Sequence, residues 1–167
     1  MGNGATLSAL TPQAAAVIAG WVGSRADATL MGGPLLPWPL TAEALLELDS
    51  EPTREVLVLT DAAGRVVASA AFLVKENGRV LRIGRVIVDP SRRGEGWGRA
   101  LLEALLARAD ADPGVEATEL GVFTHNAVAR GLYERLGFTP TGETREVQVD
   151  GEQWQAIDLN RVRPGLS

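Results

Sequence analysis

The stretch VIVDPSRRGEGWGRALLEALL, residues 86–106, joins two incompatible backbone patterns. Its β-branched opening reads as a strand that stops at Asp89-Pro90, and its end, ALLEALL, carries the apolar spacing of a helix face. Between them Gly94, Gly96 and Gly98 stand at alternate positions beside Arg92, Arg93 and Arg99. A glycine inside a helix costs roughly 0.5–1 kcal/mol relative to alanine, so three at a helix start imply that bare backbone has a task there. Successive N–H groups converging at a helix N-terminus, with arginines around them, make an anion site. No lysine followed by serine or threonine closes the loop, so it is not a P-loop, and the G-x-G-x-G spacing departs from the dinucleotide fingerprint.

Working outward, the strand ending at Val88 is the third of a series. EVLVLT (55–60), RVVASAAFLV (65–74) and RVLRIGRVIV (79–88) are separated by DAAG and ENG and predict an antiparallel meander. ATLSAL (5–10) predicts a first strand. Thr11-Pro12 opens a helix expected to run to about residue 26, with Thr11 as cap and proline in the first turn. GGPLLPWPL (32–40) is a loop, since its prolines exclude helix and central strand, and Thr41 caps a short helix, AEALLELD. Downstream come a strand at 116–124, a helix opened by Asn126 and stopped by Gly137, and a hairpin turning at Asp150-Gly151. The predicted class is α+β, with a mostly antiparallel sheet and flanking helices.

The composition narrows the chemistry. The chain has 167 residues, one domain's length, with 46% apolar and 22% charged residues. It has no cysteine and one histidine, which excludes disulfides, thiolate metal sites and cysteine nucleophiles. A net charge of -5 argues against nucleic acid and anionic membranes as partners and favours, weakly, a cationic or amine substrate. The first ten residues lack a basic segment followed by an apolar run, and no segment is apolar for the roughly 20 residues of a membrane span. A cytoplasmic protein is the expectation.

The stretch resembles the acyl-CoA motif of the GNAT acetyltransferases, R/Q-x-x-G-x-G/A after a strand ending V-x-P. Arg93, Gly96 and Gly98 fill the first part, Val88-Asp89-Pro90 the second. HNAVARGLYERLGF (125–138) resembles the family's N-x-x-A-x-x-L-Y-x-x-x-G-F through Asn126, Ala129, Leu132, Tyr133, Gly137 and Phe138. The resemblance covers residues 79–138. It implies a mixed sheet whose central strands, RIGRVIV and EATELGVF, splay to admit acetyl-CoA. Val86, Ile87 and Val88 would pair with pantetheine as a pseudo-strand. The N–H groups of Gly94, Glu95, Gly96, Trp97, Gly98 and Arg99 would hold the diphosphate, with Arg93 among the arginines supplying counter-charge and the Trp97 side chain packing helix on sheet. An amine would attack the thioester directly. Tyr133 would protonate the departing thiolate, and Asn126 would hold the cofactor or a water while capping its helix.

The pattern departs at the general base. RIGRVIV has no carboxylate, and Gly121 stands where some relatives carry one. Glu119, two residues earlier on the same strand face, is the nearest candidate and would act through water; His125 is a weaker one. Substrate recognition in such folds comes from the first helices, their loop and the last hairpin, which points to Trp38 and Trp154 as acceptor-binding walls, whereas Trp21 suits core packing equally well. The acceptor would be a small-molecule amine or a protein N-terminus. Many relatives dimerise through their last strands, so a homodimer fits the resemblance. The missing strand glutamate keeps open a second reading, an inactive acyl-CoA-binding regulatory module, and a domain for another nucleotide is a third.

Overall fold

Period-two alternation in a strand with both faces buried sends successive residues to opposite cores. In the computed structural model, which describes residues 4–166, β2 (Arg54–Thr60) follows this rule. Leu57 and Leu59 pack into one core and Val58 into the other. β3 (Val66–Lys75) and β4 (Val80–Val88) complete the expected meander. With β1 (Thr6–Ala9), β5 (Ala117–Phe123), β6 (Thr139–Val149) and β7 (Glu152–Val162) they form one seven-stranded sheet, in the order β1-β2-β3-β4-β5-β7-β6. Only β4 and β5 pair in parallel, and the other neighbours are antiparallel. This is the mostly antiparallel α+β arrangement the sequence predicts. The last hairpin turns through Asp150 and Gly151, both at positive φ (49° and 83°), and its strands are longer than expected.

α4 (Trp97–Ala111) and α5 (Ala127–Arg135) cover one face of the sheet. Leu101, Leu102 and Leu105 are fully buried there, with Trp97, Tyr133 and Phe138. Burying each leucine contributes roughly 1.5–3 kcal/mol. That outweighs the roughly 1 kcal/mol that Gly98 costs in the helix. The other face carries α1 (Pro12–Trp21) and α3 (Ala42–Asp49), whose Ala15, Ile18 and Leu45 meet Val58 and Ile87. Both helices begin as read. Thr11 Oγ1 accepts from Ala14 N at 3.1 Å, and Thr41 Oγ1 from Ala44 N at 3.1 Å.

One expectation is overturned. The first helix does not continue to residue 26: it stops at Trp21, Val22 turns extended (φ -95°, ψ 106°), and α2 (Arg25–Gly32) begins afresh. The break comes at Val22-Gly23-Ser24, where Ser24 Oγ accepts from Asp27 N at 3.1 Å. A capping serine preceded by glycine competes with helix continuation because it satisfies N–H groups that a new helix leaves open. α2 packs against β4 and so reaches the centre of the sheet.

Candidate active site

The parallel pairing of β4 with β5 lasts four residue pairs, from Val80↔Ala117 to Ile83↔Leu120, and then stops. Beyond it the strands separate, as the resemblance implies, and Val86 and Val88 are left without a partner on the β5 side. Just past the separation, β4 carries a bulge. Ser69 pairs with Ile87 but Ala71 with Gly84, so β4 holds one residue more than β3, and Arg85 sits at φ 54°. Positive φ is uncommon for a non-glycine residue and marks a position held by its surroundings. A cleft of about 690 Å³ fills the gap, within the range of small-molecule sites.

At the end of β4 the chain turns into α4, and the anion cradle takes shape. Gly94 and Gly96 adopt φ 82° and 91°, and a Cβ on either would meet nothing within 4 Å, so the space beside both is open. α4 starts on Gly96 without a side-chain cap, and its first turn contains no acidic residue. Among the described residues, none of the backbone N–H groups of residues 94–99 finds an acceptor in the protein. Orphaned donors at a helix N-terminus are what a diphosphate requires. Glu95, the anion between Gly94 and Gly96, is turned aside. Hydrogen bonds from Arg92 (3.0 Å) and Trp97 Nε1 (3.2 Å) hold its carboxyl below the usual glutamate range. Arg92 also lies over the Trp97 ring, 5.4 Å from its centroid. Arg99 pairs with Glu103 at 2.7 Å, and Arg93 is exposed. Gly98 differs from its neighbours: its missing Cβ faces Val88 and Leu132 at 3.5 and 3.9 Å, where α4 meets β4 and α5. The Trp97 side chain is buried in the core, as the sequence suggested.

Tyr133 enters the cleft from α5. Its ring is 6% exposed and packs edge-on against Phe138, with centroids 6.1 Å apart. Burial pushes its hydroxyl up to about 12, so it keeps its proton throughout the neutral range. Asn126 also lines the cleft and caps α5, its Oδ1 accepting from Ala129 N at 3.4 Å.

The other sequence candidates stand elsewhere. Glu119 is not part of the cleft lining; its Oε1 accepts from Lys75 Nζ and, at 3.3 Å, from Arg82 Nη1. Trp38 turns towards the α1–α3 core, as does Trp21, and the loop reaches the cleft through Gly33, Pro34 and Leu35 instead. Trp154 packs edge-on against Phe123 and His125, with centroids 5.1 and 4.6 Å away; it is not among the cleft-lining residues, although Val147, its partner across the hairpin, is. His125 is exposed.

Sequence reasoning passed over the arginines. Arg54, Arg82, Arg85 and Arg145 all face the cleft, two of them from the otherwise apolar β4. Charged residues in a central strand were the available signal, because a buried strand does not carry them without a purpose. Gly121 makes room for part of this group: a Cβ there would lie 2.7 Å from Arg145 Nη2 and 2.8 Å from Arg82 Nη2. Asp158 bridges the two, at 3.1 Å from each. Locally the cleft is therefore cationic, against the overall charge of -5.

Among the described residues no cluster could hold a metal ion, and no helix is long and apolar enough to cross a membrane.

Comparison with known proteins agrees with this geometry. The L-methionine sulfoximine/L-methionine sulfone acetyltransferase of Pseudomonas aeruginosa strain PAO1 is 34% identical over 114 residues, 66% of this chain and 64% of that protein. The mycothiol acetyltransferase of Beutenbergia cavernae is 41% identical over 96 residues, 54% of this chain and 30% of that protein. The chain thus spans less than two thirds of the length of these curated relatives. Among solved structures, spermidine N-acetyltransferase from Vibrio cholerae, in complex with CoA and spermine, superposes with a TM-score of 0.80 over 96% of both chains. At 20% identity that likeness speaks for the fold alone. The profile of the acetyltransferase (GNAT) family matches residues 27–138, which include the splayed strands, the glycine cradle and the Tyr133 helix, and the chain belongs to that family.

Proposed function

We propose that the protein is an N-acetyltransferase that moves an acetyl group from acetyl-CoA to the primary amine of a small molecule. One observation carries the reading. The unpaired edge of β4 connects the orphaned N–H groups of the α4 N-terminus to a cleft into which Tyr133 projects. When bound, acetyl-CoA supplies an acetyl group activated as a thioester. The N–H groups of residues 94–99, with Arg93 beside them, hold its diphosphate. Val86 and Val88 offer free backbone groups to its amides, and Asn126 steadies the same wall. The Tyr133 hydroxyl keeps a proton ready for the thiolate that leaves. Glu119 stands outside the cleft lining, engaged by Lys75 and Arg82, so the amine gives up its proton to water. Tyr133 lines the cleft as well as packing in the core, which favours transfer over sensing.

Release of CoA thiol on adding amines tests the proposal. The panel includes methionine sulfoximine and spermidine, on which the named relatives act. Binding of acetyl-CoA without turnover of any amine would return the reading to a regulatory module. The pH profile adds a second check. The rate should rise from pH 7 to about 9 as the attacking amine loses its proton, with no fall caused by Tyr133 below pH 10. Stability follows the same shift. The folded value of Tyr133 lies above its ordinary 10.0, so its neutral form favours the folded state. That contribution is complete below pH 10 and fades as pH climbs through about 12. The melting temperature should therefore drop above pH 10, and less steeply in Tyr133→Phe.

A further inference from the structure

The arginines facing the cleft are not equivalent. Arg54 is engaged by Glu51 at 3.2 Å, Arg82 by Glu119 and Asp158, and Arg145 by Asp158. Arg85 has neither an ion pair nor a hydrogen bond among the described residues, and its Nη1 is completely buried without a partner. Its stem passes the C-terminal end of α2, where a Cβ on Gly32 would lie 3.3 Å from its Cγ. Burial and the nearby Arg54 both work against its charge, and the opposing carboxylate, Glu51, is already held by Arg54. A guanidinium does not shed its proton, so the inner end of a half-buried cation is left without a hydrogen bond. The bulge that presents it adds an unusual φ of 54°. Both features cost stability.

We propose that Arg85 is the carboxylate-recognition residue of the acceptor site, and that the acceptor is an amine bearing a carboxylate, of the amino-acid class, rather than a polyamine. This rests on the acetyltransferase reading and names its substrate class. The planar fork of a guanidinium matches a carboxylate with two parallel hydrogen bonds, and a buried donor left empty penalises any acceptor lacking one. The strands part after Ile83 and Arg85 stands two residues on, so amine and carboxylate belong to one compact molecule. Lys75, Arg82 and Arg145 share two carboxylates, Glu119 and Asp158, which leaves the surrounding field positive and unsuited to a polycation.

The test compares CoA release with L-amino acids including methionine sulfoximine, with their amides, with the matching decarboxylated amines and with spermidine. Wild type is set against Arg85→Gln and Arg85→Met. Calorimetry of acetyl-CoA on all three reads the donor site separately. The wild type should prefer an acid over its amide by at least tenfold in kcat/KM, and in both variants that preference should fall below threefold. Acetyl-CoA affinity should stay within threefold, and Arg85→Met without ligand should melt no lower than wild type, since it removes a buried guanidinium nitrogen that has no partner. Equal use of acid and amide by the wild type, or preference for spermidine, would overturn the proposal while leaving acetyl transfer intact. A loss of acetyl-CoA affinity in the variants would also overturn it, because the guanidinium would then serve the donor's phosphates. If wild type itself fails to bind acetyl-CoA, the acetyltransferase reading fails first and this assignment with it.

Discussion

Replacing Tyr133 by phenylalanine should lower kcat at least a hundredfold and leave acetyl-CoA affinity within threefold of wild type. Phenylalanine keeps the ring that fills the core beside Phe138, so packing survives and only the hydroxyl is lost. A positioned acid contributes roughly 10²–10⁴ in rate. The phenol, pushed up to about 12 by burial, is protonated at neutral pH, so a proton is available when the thiolate leaves. A thiolate leaving without a proton donor is the slow event that remains. Steady-state kinetics with calorimetry separates the outcomes. If kcat falls less than threefold, Tyr133 is a core aromatic and another group or bulk water protonates the thiolate. If affinity falls in step with the rate, the hydroxyl binds the donor instead of acting on it.

The second large effect is expected at the cradle. Gly96→Val should weaken acetyl-CoA binding at least a hundredfold. At φ 91° a β-branched side chain is strained, and the side chain would enter the open space where the diphosphate approaches main-chain N–H groups. Strain alone costs roughly 1–3 kcal/mol and would lower the melting temperature without touching affinity. Gly78→Val makes the distinction. Gly78 has φ 88° and open space as well, but it lies at the start of β4, at the opposite end of the strand from the cradle. That variant should be destabilised and bind acetyl-CoA normally. Undiminished affinity in Gly96→Val would move the diphosphate away from the α4 N-terminus and remove the main support for the donor site.

Residues 86–106 and 125–138 were legible because their signals are local. Glycines before a helix, a capping asparagine and a tyrosine at helical spacing each act through their own few residues; the asparagine and tyrosine line one cleft, and the glycines lie past the end of β4, whose residues line it too. The meander and the final hairpin were legible for the same reason, since alternation and turn chemistry are written into neighbouring positions. The break between α1 and α2 was also local, at Gly23-Ser24, but its apolar surroundings masked it.

What the acceptor end looks like was not legible, because its residues come from β2, β4, β6 and the α2 loop and meet only when the sheet is assembled. Trp38 and Trp154 were singled out by residue type, yet a side chain's direction depends on which core lies beneath its backbone. Arg85 shows the same limit most sharply. The sequence alone determined that a glycine-rich turn joins a strand to a helix in an α+β sheet. Tertiary structure alone decided that β4 and β5 part after Ile83 and that one arginine buries a guanidinium nitrogen without a partner, because solvation and partnership belong to the folded surroundings and not to any stretch of chain.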